Sequence, residues 1–188
     1  MHKYLNFLLV AITIGTIAEI VNPILRNLGM KNILSMNIYT FLNCLVFIFL
    51  YKKTKTISEK WFWILNSVFI IGSCYSIYFQ GVLNQLNTIL IVFANFILMF
   101  LSAKSLIKMT NGDVEHLFLQ PLFWLSANLL MFSTASNIVY SIFPNSLYYD
   151  NNLFYNQIWT VFSVLNIIYN LLFAYVFICH LRNPSYTQ

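Results

Sequence analysis

The segment IWTVFSVLNIIYNLLFAYVFICHL, residues 158–181, decides the fold class, because its 24 residues include no aspartate, glutamate, lysine or arginine. An α-helix needs roughly 20 apolar residues to cross a hydrocarbon core of about 30 Å. Five further apolar runs precede this segment, at residues 4–21, 33–51, 61–79, 83–103 and 121–143. The sequence therefore predicts an all-α membrane protein, a bundle of about six transmembrane helices in a single membrane domain over residues 1–188.

The composition indicates the same class. Hydrophobic residues make up 60% of the chain and charged residues only 8%, with a mean hydropathy of +0.73. A soluble domain carries roughly 25% charged residues. None of the apolar runs alternates as a barrel strand does, so helices are the better prediction. The net charge of +5 does not indicate nucleic-acid binding, because the basic residues lie in short gaps between apolar runs.

Those basic residues predict the orientation of the helices, since loops on the cytoplasmic side are rich in lysine and arginine. One side would carry eight of them and the other side only Arg26 and Lys31. The eight are Lys3, Lys52, Lys53, Lys55, Lys60, Lys104, Lys108 and Arg182. The sequence therefore predicts that both termini are cytoplasmic.

Turn-forming residues predict where the helices end. Asn22-Pro23 and Pro144-Asn145 are expected to terminate the first and fifth spans. The gap around residues 80–82 is very short, so the third and fourth spans form either a tight hairpin or a partly re-entrant segment.

Glu19 is the one ionisable residue well inside a predicted span. It shares a helix face with the small residues Ala11 and Gly15, at four-residue spacing, and we therefore expect it to point into the bundle. The sequence leads to the hypothesis of a ligand-binding pocket in the outer half of the membrane; the alternative is a carboxylate that bonds only to a neighbour or to water. The hypothetical pocket comprises Glu19, Tyr39, Asn43, Tyr75, Asn137 and Tyr140.

Amides recur through the remaining spans. Ser163, Asn166 and Asn170 form a stripe at three- and four-residue spacing in the last one. Interhelical hydrogen bonds of this kind help to fix which helices meet. The residues predicted to act in helix packing are Asn66, Asn95, Asn128, Asn166 and Asn170.

No motif for catalysis, phosphate binding or dinucleotide binding occurs, and the histidines and cysteines lack ligand-pair spacing. We therefore expect no metal and no cofactor. The favoured function is non-enzymatic: a sensor or accessory subunit that binds a lipid, a small ligand or a partner protein within the bundle. A transporter or channel for ions or small solutes, and a lipid-modifying membrane enzyme, stay as alternatives. The expected partners are membrane lipids and either another membrane protein or further copies of the chain, with no nucleic acid.

Three segments carry a resemblance to a known group of proteins. They are Ala18-Glu19-Ile20 with Asn37-Ile38-Tyr39, the Pro-Leu-Phe-Trp motif at residues 121–124 with Leu125-Ser126, and NIIYNLL at residues 166–172. In these segments the chain resembles a group of small uncharacterised bacterial multi-span integral membrane proteins. The resemblance implies a helical bundle in the bacterial inner membrane and carries no known activity.

Overall fold

A computed structural model describes residues 5–28, 33–80, 87–111, 117–146 and 152–182. Within these ranges the backbone forms six α-helices and one short 3₁₀ helix, and no β-strand. Each α-helix is long and apolar enough to cross a membrane, which confirms the predicted fold class. The α-helices are α1 (Leu5–Asn27), α2 (Ile33–Lys53), α3 (Glu59–Gln80), α4 (Thr88–Thr110), α5 (Pro121–Ser146) and α6 (Asn152–Arg182).

Two predicted helix ends are wrong at prolines. Helix α1 continues through Pro23 to Asn27, and α5 continues past Pro144 to Ser146. A proline removes one backbone N–H, and membrane helices tolerate it because neighbouring groups satisfy the acceptor that it leaves.

Helix α4 begins later than the sequence predicted. Its first residue is Thr88, directly after the non-helical Asn87, whereas the predicted fourth span begins at residue 83. The boundary lies at Asn87, whose side-chain Oδ1 accepts a hydrogen bond of 2.9 Å from the backbone N–H of Leu90. This bond is the N-cap interaction that satisfies an otherwise unpaired amide in the first turn of a helix. The predicted choice between a hairpin and a re-entrant segment falls on residues 81–86, outside the described residues.

The chain packs as two compact units, Met1–Ile97 and Leu98–Gln188, so the boundary falls inside α4. We call them unit 1 and unit 2. The single membrane domain stays a prediction.

Unit 1 is held by aromatic contacts between successive helices. The ring of Phe69 in α3 stacks on Phe41 of α2 at 5.4 Å between centroids and on Phe93 of α4 at 6.3 Å. Gly72 lies one turn after Phe69, and a Cβ added there would be 2.4 Å from the Phe93 ring. Since such a distance is far inside van der Waals contact, a side chain at position 72 would displace the Phe93 ring.

Unit 2 is built on the pair α5 and α6, where Phe132 stacks on Tyr169 at 4.2 Å. The Pro-Leu-Phe-Trp motif lies at the start of α5. Pro121 occupies the first helical position, which suits a residue with a fixed φ and no N–H. The indole N–H of Trp124 donates a hydrogen bond of 2.8 Å to the carbonyl of Phe118 in the 3₁₀ helix. The motif therefore acts in shaping the entry into α5.

Candidate functional site

The six residues of the hypothetical pocket divide between the two units. Glu19, Tyr39, Asn43 and Tyr75 belong to unit 1, and the remaining two, Asn137 and Tyr140, belong to unit 2. Each group is described within its own unit.

Glu19 is exposed, and the expectation that it points into the bundle is wrong. The first two residues of the small-residue face are packed: Ala11 is buried, and Gly15 lies against Tyr39 of α2. A four-residue repeat, however, drifts by about 40° per step around a helix of 3.6 residues per turn. From Ala11 to Glu19 the drift is therefore about 80°, which places Glu19 at the edge of the face that packs on α2.

Tyr39 of α2 packs against α1 one turn before Glu19. Its hydroxyl lies 4.0 Å from the position that a Cβ on Gly15 would take. One turn beyond Glu19, the side-chain Oδ1 of Asn22 is buried without a hydrogen-bond partner. The pocket around Glu19 stays a hypothesis, and Asn22, with its unpaired oxygen, is not among the residues that the sequence singled out.

The other two pocket residues of unit 1 lie in different surroundings. Asn43 is half-buried on α2, one turn after Tyr39. Tyr75 on α3 is 57% exposed.

In unit 2, both predicted pocket residues are buried in contacts with neighbouring helices. The Asn137 amide nitrogen donates to the Sδ of Met99 at 3.3 Å, while its Oδ1 is buried and unpaired. Tyr140 packs its ring edge against Phe162 of α6, with 5.7 Å between centroids. Helix packing therefore explains the burial of Tyr140, whereas the Asn137 side chain keeps an acceptor without a hydrogen bond.

The five predicted packing amides behave differently from one another. The side chain of Asn128, fully buried, donates a hydrogen bond of 2.9 Å to the Tyr169 carbonyl and so joins α5 to α6. Asn66 instead bonds within its own helix, to the Phe62 carbonyl at 2.9 Å. Asn95 is buried, with its Nδ2 unpaired. In α6, Asn166 is half-buried and Asn170 is exposed.

A buried polar cluster in unit 1 was not predicted. We define the Asn87 cluster as Asn37 of α2, Ser76 of α3 and Asn87. The Asn87 backbone N–H donates to the Asn37 Oδ1 at 3.1 Å, and the Ser76 hydroxyl donates to the Asn87 Oδ1. Asn87 and Ser76 are fully buried, at 0% exposure. An asparagine before an apolar helical run is an N-cap signature, so this part of the cluster was accessible from the sequence.

Among the described residues, no group of three or more histidine, cysteine, aspartate or glutamate side chains could hold a metal ion. The three cysteines of the chain, Cys44, Cys74 and Cys179, form no disulfide bond.

Comparison with known proteins gives no further constraint, because no family model, curated protein or solved structure matches the chain. The resemblance to small bacterial membrane proteins stays a prediction.

Proposed function

We propose that the chain is a non-enzymatic membrane subunit that acts by binding a transmembrane helix of a partner protein through one face of α6. The observation that carries this proposal is the exposure of Asn170 halfway along a membrane span. Asn170 lies 10 and 12 residues from the ends of the span Thr160–Arg182, or about 15–18 Å along the helix. An amide at that depth has no water to bond, and exposure to hydrocarbon costs roughly 1–3 kcal/mol.

The face around Asn170 has the composition of a helix-packing surface. Its exposed members recur at spacings of three and four residues on the side of α6 away from the contacts with α5. They are Thr160, Ser163, Ile167, Asn170, Ala174 and Ile178. Small residues at such spacing let a second helix approach closely, whereas lipid contact alone would be served by large apolar side chains.

The low burial of α6 leaves room for a partner. Only 11% of the apolar window of its span is buried within the chain, compared with 44% for α5. The partner helix would carry small residues and a hydrogen-bonding side chain at the depth of Asn170, because the amide both donates and accepts.

Photo-crosslinking in native membranes tests this proposal, with a photoreactive residue at position 174 on the exposed face. We expect one discrete adduct, which weakens with Asn170→Leu and is retained with Asn170→Gln. Interhelical amide bonds contribute about 0.6–2 kcal/mol, so the association constant should fall by about 3- to 30-fold. Ile168→Ala is the matched control, because Ile168 is 39% exposed and lies about 200° around the helix from Asn170.

The adduct's identity separates the alternatives. An adduct with a different membrane protein supports the accessory-subunit role. An adduct of twice the 22.0 kDa chain mass means that the occupant is a second copy, which contradicts that role. Crosslinks to lipid alone would remove the proposal.

The proposal includes an orientation with both chain ends in the cytoplasm of a bacterial inner membrane. The eight-to-two division of the basic residues supports the orientation, and only the resemblance to small bacterial membrane proteins supports the choice of membrane. A fluorescent protein fused to the C-terminus should fluoresce, and alkaline phosphatase fused there should be inactive; the opposite pair of results would reverse the orientation.

A further inference from the structure

A second candidate site lies in unit 1, at the connection between α2 and α3. One membrane span ends at Lys53 and the next begins at Glu59, so the residues between them lie at a surface of the membrane, at the depth of the lipid headgroups. We define the lysine turn as residues 52–60, which contain four lysines and one glutamate.

The backbone of the lysine turn is fixed by hydrogen bonds that close the end of α2. The N–H of Thr56 donates to the Tyr51 carbonyl at 3.0 Å. The N–H of Lys55 donates to the Lys52 carbonyl at the same distance. Together the two bonds form the Schellman motif, which ends a helix with one residue in the left-handed conformation. Because Thr56 and Ile57 are also buried, the turn holds its lysines on a fixed backbone.

Lys55 occupies the left-handed position of this motif, with a φ of 55°. Glycine is the usual residue at that position, because a Cβ makes the left-handed conformation unfavourable. A residue held in an unfavourable conformation indicates a function for its side chain. Lys55 is exposed, so its positive charge lies at the membrane surface.

One lysine of the turn is balanced by a carboxylate of the same turn. The Lys52 ammonium lies 2.7 Å from the Glu59 carboxylate and 4.0 Å from the centroid of the Phe62 ring. The indole N–H of Trp63 donates to the same carboxylate at 3.1 Å. Since Glu59 neutralises Lys52, the three other lysines give the turn a net charge of +3.

Two tryptophans lie beside these charges, in the first turn of α3. Trp61 is 44% exposed and Trp63 is 61% exposed. Indoles, which have an apolar body and a polar N–H, concentrate at the headgroup level of a bilayer. Exposed lysines next to exposed indoles match a phospholipid, in which an anionic phosphate is joined to apolar chains. The exposed lysines are Lys53, Lys55 and Lys60.

We propose that the lysine turn binds the headgroup of an anionic phospholipid, with the phosphate held by Lys53, Lys55 and Lys60. Clusters of about four to eight basic residues directly beside a membrane helix are typical of anionic-lipid binding. Each lysine raises the affinity by about fivefold, equivalent to about 1 kcal/mol. The site takes a lipid of the surrounding bilayer, because the exposed indoles lie in the headgroup region with it. This inference is independent of the partner-binding face of α6, which belongs to unit 2.

Native mass spectrometry of the full-length chain in dodecyl maltoside micelles tests the proposal, by titration with phosphatidylglycerol and with phosphatidylcholine of the same acyl chains. We expect the first phosphatidylglycerol to bind about tenfold or more tightly than phosphatidylcholine. Inorganic phosphate, added at constant ionic strength, should not displace it. The double variant Lys53→Gln with Lys60→Gln should weaken the binding of phosphatidylglycerol by about 25-fold and leave that of phosphatidylcholine unchanged.

The matched control is the double variant Lys104→Gln with Lys108→Gln, which removes two charges one turn apart near the end of α4. It should weaken the binding of phosphatidylglycerol by less than about twofold. Equal losses in the two double variants would mean that net charge alone attracts the lipid, and would overturn the proposal.

The variant Lys55→Gly separates a structural role of Lys55 from a role in binding. Glycine relieves the left-handed conformation, so thermal unfolding in the same micelles should move to a higher temperature, while the affinity for phosphatidylglycerol falls by about fivefold. A gain in stability with an unchanged affinity would overturn the proposal. Equal affinities for the two lipids, or displacement of the lipid by inorganic phosphate, would also overturn it.

Discussion

Replacing Asn87 with alanine removes the side chain on which the start of α4 depends. In the native protein its Oδ1 accepts from the Leu90 N–H at 2.9 Å and from the Ser76 hydroxyl, and it is fully buried. Alanine keeps the backbone N–H that donates to Asn37, so this contact of the Asn87 cluster survives. The substitution therefore isolates the two bonds to the side-chain oxygen.

The expected cost follows from those two bonds. Loss of an N-cap side chain costs about 1 kcal/mol. A buried hydroxyl left without its acceptor costs about 1–3 kcal/mol, and Ser76 lies at the low end because a serine in a helix can turn to the carbonyl four residues earlier. Removing the unpaired Asn87 Nδ2 returns part of this. We expect a net destabilisation of about 1–2 kcal/mol.

A double-mutant cycle with Ser76→Ala separates the two bonds. Ser76→Ala alone should cost about 1 kcal/mol, since Asn87 keeps its bond to Leu90. The coupling energy between positions 76 and 87 should be about 1 kcal/mol. The assay is unfolding of the purified chain in mixed micelles with increasing dodecyl sulfate, followed by tryptophan fluorescence and far-ultraviolet circular dichroism.

Either of two results would contradict a capping role for Asn87. An Asn87→Ala cost below about 0.5 kcal/mol is what a surface substitution gives, and would mean that the cap does not operate in the membrane. A coupling energy near zero would mean that Ser76 does not depend on Asn87. Asn87→Ser, which keeps a capping oxygen, should recover part of the stability if the cap term is correct.

Substitutions at two further positions test the packing of each unit. Gly72→Ala places a methyl group 2.4 Å from the Phe93 ring, and because overpacking costs about 1–3 kcal/mol, the unfolding midpoint should move to lower dodecyl sulfate. An unchanged midpoint would mean that the Phe93 ring moves aside without cost. Asn128→Leu removes the bond to the Tyr169 carbonyl together with an unpaired Oδ1, so we expect a change below about 1 kcal/mol, whereas Asn128→Asp, which buries a charge, should cost about 3 kcal/mol or more. Equal effects of leucine and aspartate at position 128 in the same unfolding assay would contradict this account.

The existence of the six helices was predictable because length and apolar composition alone meet the requirement for crossing a membrane. Their ends were not, because they depend on single contacts. Asn22-Pro23 suggested that the first span stops at residue 21, yet α1 continues to Asn27. Asn87 sets the start of α4 through bonds to α2 and α3, and the apolar pattern around residue 83 contains no trace of those partners.

The candidate site residues were likewise predictable only in part. The sequence singled out Glu19 and Tyr39, and the structure places Tyr39 against Gly15, one turn before Glu19 on α1. It did not give the direction of Glu19, since a four-residue repeat of small residues turns around the helix over two steps. Nor did it single out Asn22, because only packing shows that its Oδ1 is buried without a partner.

The Asn87 cluster has a consequence for the order of assembly during synthesis. Asn37 and Ser76 both precede Asn87 in the chain, so their helices leave the ribosome before α4 and its cap can close as soon as α4 emerges. In unit 2 the order is reversed. Asn128 bonds to Tyr169, which is synthesised 41 residues later. Helix α5 therefore enters the membrane before the hydrogen bond between Asn128 and Tyr169 can form. The first half of the protein can thus mature helix by helix, while the second half becomes complete only with its final helix.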